Sequence, residues 1–205
     1  GAVFLVGLIT MGTLTACSFE NPGHSSMGGM NGNAMMSDND ADSDTSTSGA
    51  GDEFSNTDIM FAQMMIPHHE QAIEMSTLAE THTNNLEVLA LAAEIKAAQA
   101  PEIQQMRGWL DAAGTSDMEM GHSIGEMGMG EMGMLDEAQM TSLAAANGAA
   151  FDTLYLEGMI QHHLGAIDMA QMILSSANSE VKKLGEAVVT SQTAEVAVMK
   201  KMLGQ

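Results

Sequence analysis

Apolar side chains recur at intervals of three and four along residues 59–80, 86–110, 136–146, 151–175 and 180–203, a helical period in four long blocks and one short one. Thr57 and Asp58 are good cap residues ahead of the first block, and Asn147-Gly148 closes the short one. The loop at 81–85 is so short that the first two helices must be antiparallel neighbours. Pro67 inside the first block predicts a kink or a local restart. Residues 114–134 hold six glycines, which no helical pattern survives, and read as a loop.

The blocks are related by an internal repeat. Met65-Ile66-Pro67-His68-His69-Glu70-Gln71-Ala72-Ile73-Glu74-Met75 aligns, 94 positions on, with Met159-Ile160-Gln161-His162-His163-Leu164-Gly165-Ala166-Ile167-Asp168-Met169. In the second helix of each pair Glu87 aligns with Glu180, Gln99 with Gln192, Glu102 with Glu195, Met106 with Met199 and Leu110 with Leu203, at an offset of 93, so one residue is deleted in a hairpin loop. Two copies of a hairpin with one apolar face each close most simply on one another. The expected fold class is therefore all-α: a four-helix bundle over residues 57–205, with repeat 1 at about 58–112, a loop at 114–134, a short helix at 136–146 and repeat 2 at about 150–203.

The segment before this domain has a different character. Residues 2–14 form an apolar run of signal-peptide length, too short to span a bilayer, and the run ends in Leu14-Thr15-Ala16-Cys17, which matches a bacterial lipobox. Residues 1–16 are expected to be part of a lipoprotein signal and Cys17, the one cysteine, the acylated residue. Residues 17–56 are rich in Gly, Ser, Asn, Asp and Thr without apolar period and read as a disordered tether. Asp38, Asp40, Asp42 and Asp44 alternate within it, but the Gly and Glu that a calcium loop needs are missing. The chain is thus expected on the outer face of a bacterial membrane, at the cell surface or in the periplasm.

Composition narrows the function. Asp and Glu total 27 against 6 Lys and Arg, with no basic residue before Lys96, so nucleic acid is excluded as a partner. Aromatic residues are only 3%, while methionine reaches 22. Outside the cytoplasm a thiol ligand risks oxidation, and thioether and imidazole are the durable soft-metal donors.

Those donors are gathered in the repeat. At about 100° per residue, Met65, His68, His69, Ala72, Met75 and Ser76 share an arc of roughly 120° on one helix, and Met159, His162, His163, Ala166, Met169 and Ala170 share the same arc on its counterpart. Met65 with His69, and Met159 with His163, put a sulfur and a nitrogen on adjacent turns. Such a set suits copper(I), with silver(I) and copper(II) as the other candidates, and suits magnesium or calcium poorly. The sequence allows one shared site or two separate ones. Core methionine and hydrogen-bonded core histidine are the bland alternative. A second candidate set lies in the loop, where Met118, Met120, Met127, Met129, Met132 and Met134 form three Met-x-Met pairs around His122, in a segment read as exposed. His24, Met27, Met30, Met35 and Met36 echo it more weakly in the tether.

The doubled motif, together with Leu156-Glu157-Gly158 before its second copy, resembles the family called domain of unknown function 305, whose copper-binding members are named CopM, over about residues 58–203. The resemblance implies a ferritin-like four-helix bundle, export, and copper binding and resistance. By carry-over it implies His68, His69, Met65, Met75, His162, His163, Met159 and Met169 as the motif positions. Gln161 and Leu164 stand where the first copy has Pro67 and Glu70, so the copies need not bind equally. The expected function is an extracytoplasmic copper(I)-binding lipoprotein, not an enzyme, that sequesters copper or exchanges it with a donor or acceptor protein. A ferritin-like redox enzyme and a metal-free structural lipoprotein are the alternatives. None of the four paired histidines has a Glu three residues before it, which argues against a di-iron site in the repeat.

Overall fold

The computed structural model describes residues 54–115 and 132–205. Cys17, the tether up to residue 53, Met118, Met120, His122, Met127 and Met129 lie outside the described residues, while residues 54–56, expected as tether, lead into the first helix. Among the described residues there are five α-helices and no strand: α1 (Asn56–His82), α2 (Leu86–Ala112), α3 (Glu137–Ala145), α4 (Ala149–Ala170) and α5 (Ser179–Met202), with a 3-10 turn at Gln171–Ile173.

Each start has a local cause. Ser55, rather than Thr57 or Asp58, caps α1, and Asp58 closes a capping box with it by accepting from the Ser55 amide at 2.9 Å. Asn85 caps α2 and Asn178 caps α5, at equivalent positions of the two repeats. Asp136 and Gln139 form a second capping box on α3. Each such cap contributes on the order of 1 kcal/mol. Helix α1 runs through Pro67 without the restart that residue predicted, and α2 likewise contains Pro101, so burial of the surrounding face outweighs the lost backbone bonds. The third long block reads as helical to 175, yet α4 ends at Ala170 and tightens into the 3-10 turn, where the Ser176 amide bonds back to the Ile173 carbonyl.

Helices α1 and α2 form one antiparallel hairpin and α4 and α5 the other, and the hairpins meet along α1 and α4. The described end of the linker between the repeats, residues 132–135, is docked onto this seam. Gln71 of α1 clamps it from one side, donating to the Leu135 carbonyl and accepting from the Leu135 amide, both at 2.8 Å. On the other side Gly165 of α4 leaves the space it needs: a Cβ there would lie 1.8 Å from the Met132 carbonyl oxygen. Gln71 and Gly165 are equivalent positions of the repeat, so the linker occupies the place where the two copies differ. Met134 is consequently buried and Met132 partly so, both packed on the bundle and not in the exposed loop that the glycine-rich pattern suggested. Burial of these thioethers follows from the docking of the linker, which sequence periodicity does not encode.

Gly165→Ala should force the linker off the seam and destabilise the fold by roughly 1–3 kcal/mol in urea denaturation. Gly108→Ala on α2, where nothing lies within 4 Å of a new Cβ, should instead stabilise by about 0.5–1 kcal/mol. Equal effects of the two substitutions would contradict the docking.

Candidate metal centre

The apolar interior divides into two clusters. One gathers Phe61, Met65, Ile103, Met106, Met169 and Val188 with their neighbours, and the other gathers Met75, Ile95, Tyr155, Met159, Val196 and Met199 with theirs. Along every long helix a pair of polar residues lies between the two clusters: His68 and His69 on α1, Gln99 and Glu102 on α2, His162 and His163 on α4, Gln192 and Glu195 on α5. A polar layer thus crosses the middle of the bundle, with apolar packing and three buried methionines on either side. All four imidazoles in it are at most 1% exposed.

The two His-His motifs converge. The rings of His68 and His162 lie 3.6 Å apart between centroids, tilted by 38°. His69 and His163 flank them at 6.4 and 6.3 Å from their sequence neighbours, so the four rings form one row across the seam. Each outer ring donates from Nε2 to a carboxylate on the second helix of its own hairpin: His69 to Glu102 Oε2 and His163 to Glu195 Oε2, both at 2.7 Å. The inner His68 donates from Nε2 to the Met132 carbonyl at 3.0 Å. Carboxylates and carbonyls only accept, so these three rings carry a proton on Nε2, and in a neutral ring so bonded Nδ1 is left as a lone pair.

Those lone pairs have no partner. Among the described residues Nδ1 of His68, His69 and His163 is buried without a hydrogen bond, and neither nitrogen of His162 has one of acceptable geometry. Both amide atoms of Gln99 and the carbonyl of Gln192 are in the same condition. Buried polar atoms are satisfied in the great majority of native interiors, because each orphan costs about 1–3 kcal/mol. Apart from Asp152 Oδ1, these orphans fall in one layer, on His68, His69 and Gln99 in one repeat and on the equivalent His162, His163 and Gln192 in the other.

Electrostatics hold the inner rings neutral. Burial, reinforced by the neighbouring His69 and His163 and opposed by the Met132 carbonyl, pushes His68 down to about 3. Burial also holds His162 well below the usual imidazole value, with His68, His163 and His69 adding to it against a weak backbone contact from His68. Tyr155 donates or accepts across the seam with Ser76 at 3.0 Å, and burial raises its phenol far above the ordinary value, the Ser76 bond opposing and Glu195 adding. Its repeat equivalent is Phe61, and that of Ser76 is Ala170, so the apolar cluster that holds Tyr155 is bordered by a polar pair that the other cluster lacks.

Met65, Met75, Met159 and Met169 are all buried, Met65 and Met169 in one apolar cluster and Met75 and Met159 in the other. Each cluster therefore holds one motif methionine from each repeat. Among the described residues no three His, Cys, Asp or Glu side chains are placed so as to hold an ion between them. The other soft donors buried among the described residues are the thioethers of the two apolar clusters, which suit a soft ion of low coordination number. Sequence reading passed over Glu102, Glu195, Gln99, Gln192, Met106 and Met199, although their alignment in the repeat was the available signal. A surface groove lined by Leu135, Leu143, Leu154 and Gly158 between α3 and α4 contains none of the imidazoles.

The neutral inner imidazoles make the metal-free protein sensitive to acid. Below the unfolded value of 6.5 the unfolded chain binds protons at His68 and His162 that the folded state refuses until far lower pH. Their contribution to stability is intact above 6.5 and is lost as pH falls from there towards about 3, with a slope of about 1.4 kcal/mol per pH unit for each ring. Urea denaturation at about pH 7.5 and about pH 5 should show a loss of a few kcal/mol, and the variant His68→Gln/His162→Gln should flatten that dependence. A stability that is level across this window would contradict the buried neutral pair.

Comparison with known proteins agrees with this architecture. A Streptomyces coelicolor protein described as a candidate secreted member of domain of unknown function 305 superposes with a TM-score of 0.66 at 34% identity, covering 72% of this chain and 92% of its own. A fragment of a family member from Deinococcus radiodurans gives 0.64 at 27% identity, covering 74% and 98%. CopM in its copper(I)-bound form gives 0.59 at 29% identity, covering 72% and 96%, and the same protein has also been solved in copper(II)- and silver-bound forms. No curated protein matches the sequence. The sequence pattern of domain of unknown function 305 matches residues 58–203, which span both hairpins and the polar layer between them, and the chain belongs to that family.

Proposed function

We propose that this protein is an exported, lipid-anchored copper(I)-binding protein that sequesters copper or exchanges it with a partner outside the cytoplasm, and that it is not an enzyme. The observation that carries the reading is the row of four buried imidazoles whose Nδ1 lone pairs have no protein partner, bracketed by buried thioethers. Neutral imidazole and thioether make a soft to borderline donor set, and the carboxylates behind the outer rings supply the negative charge that a cation needs in a low-dielectric interior. The copper- and silver-bound forms of CopM support the choice of ion. Cys17 after its apolar run supports the anchor, and no helix among the described residues is long and apolar enough to cross a membrane. Met118, Met120, His122, Met127 and Met129 in the linker form a second, thioether-rich binding segment in this reading.

Competition for copper(I) against a chromophoric chelator under reducing conditions tests the proposal. The wild type should withdraw copper(I) from the chelator, and the variant with His68, His69, His162 and His163 all changed to Ala should lose the bundle's share. Wild-type protein that fails to compete would reject the function, and unchanged binding by a folded variant would reject the site. Sustained oxygen consumption with copper and an external reductant would favour a redox enzyme instead.

A further inference from the structure

We propose that Glu102 and Glu195 are positioning residues, which fix His69 and His163 as Nε2–H tautomers and thereby turn their Nδ1 lone pairs into metal donors. The inference rests on the copper(I) reading above and deepens it. Both contacts have the same atoms and the same length, Nε2 to Oε2 at 2.7 Å, although they lie in different hairpins and join residues 33 and 32 positions apart. Each histidine side chain is fully buried, while its carboxylate is 20% or 22% exposed, so the charge stays partly hydrated and the ring does not.

A layer built only for packing would satisfy both ring nitrogens. Here Gln99 and Gln192 lie one helical turn before the two carboxylates, with both amide atoms of Gln99 and the carbonyl oxygen of Gln192 buried and unbonded, and still neither Nδ1 is bonded. The carboxylates therefore satisfy the nitrogen that would be idle in a complex and leave the other open. A carboxylate behind an imidazole also holds the ring plane and raises the basicity of the far nitrogen, and its loss typically weakens metal binding by about 10- to 100-fold. His162 has no such support, and the Met132 carbonyl behind His68 is uncharged, so the outer rings are the stronger donors of the row.

Two measurements test this. Long-range proton–nitrogen correlation spectra of the metal-free wild type should show His69 and His163 as Nε2–H tautomers. In the variant Glu102→Gln/Glu195→Gln, with its helical signal and melting checked, affinity for copper(I) should drop by about 10- to 100-fold, and each single variant should retain one intact pair. An Nδ1–H or mixed tautomer in the wild type would overturn the proposal, as would a folded double variant that binds copper(I) like the wild type. Should the wild type not bind copper(I) at all, the proposed function fails, and the tautomers alone still decide whether the carboxylates set the lone pairs.

Discussion

Four imidazoles buried at the centre of a helical bundle constrain everything around them. A buried imidazole must stay neutral or be paired, and each of its nitrogens must find a partner or cost free energy. The bundle meets half of this demand. Glu102 and Glu195 reach in from the second helices to take the outer Nε2 protons, and the linker supplies the Met132 carbonyl for His68. The other half, the Nδ1 side, has no partner among the described residues, and that is the demand the proposed copper(I) ion would meet.

The rest of the structure serves that layer. Apolar clusters above and below exclude water, which keeps His68 and His162 neutral with their rings in contact. Small residues next to the motif make room: Ala72 and Ala166 are fully buried on the same helices, and Gly165 lets the linker reach His68. Surface pairs such as Arg107 with Glu70 and Lys96 with Glu80 bridge α2 to α1, and exposed pairs of this kind add little to stability. The interior polar contacts and the packing around them, more than the surface, decide how the hairpins register.

Much of this was legible in the residues. The offset of 94 positions identified the duplication and placed His68 opposite His162 in role, and the arc argument put the imidazoles and Met65, Met75, Met159 and Met169 on the inner face where they lie. The partners of the outer imidazoles were not legible, because Glu102 and His69 are brought together by the crossing of two helices and not by any local spacing. Read locally, Glu102 and Glu195 look like ordinary surface charges. Met132 and Met134 were misread as exposed because a glycine-rich segment carries no period, and its docking depends on a gap at Gly165 that only three dimensions reveal. In hindsight the departure of Gly165 from Gln71 within an otherwise faithful repeat was the sequence trace of that contact.

Copper-edge X-ray absorption on the copper(I)-loaded protein tests the central claim most directly, when Met118, Met120, Met127 and Met129 are changed to Leu so that the linker contributes no thioether from those positions. The account predicts a first shell of low coordination number that contains both nitrogen and sulfur, and that loses its nitrogen when the four bundle histidines are removed. A shell of sulfur alone, or a nitrogen contribution indifferent to those histidines, would contradict it.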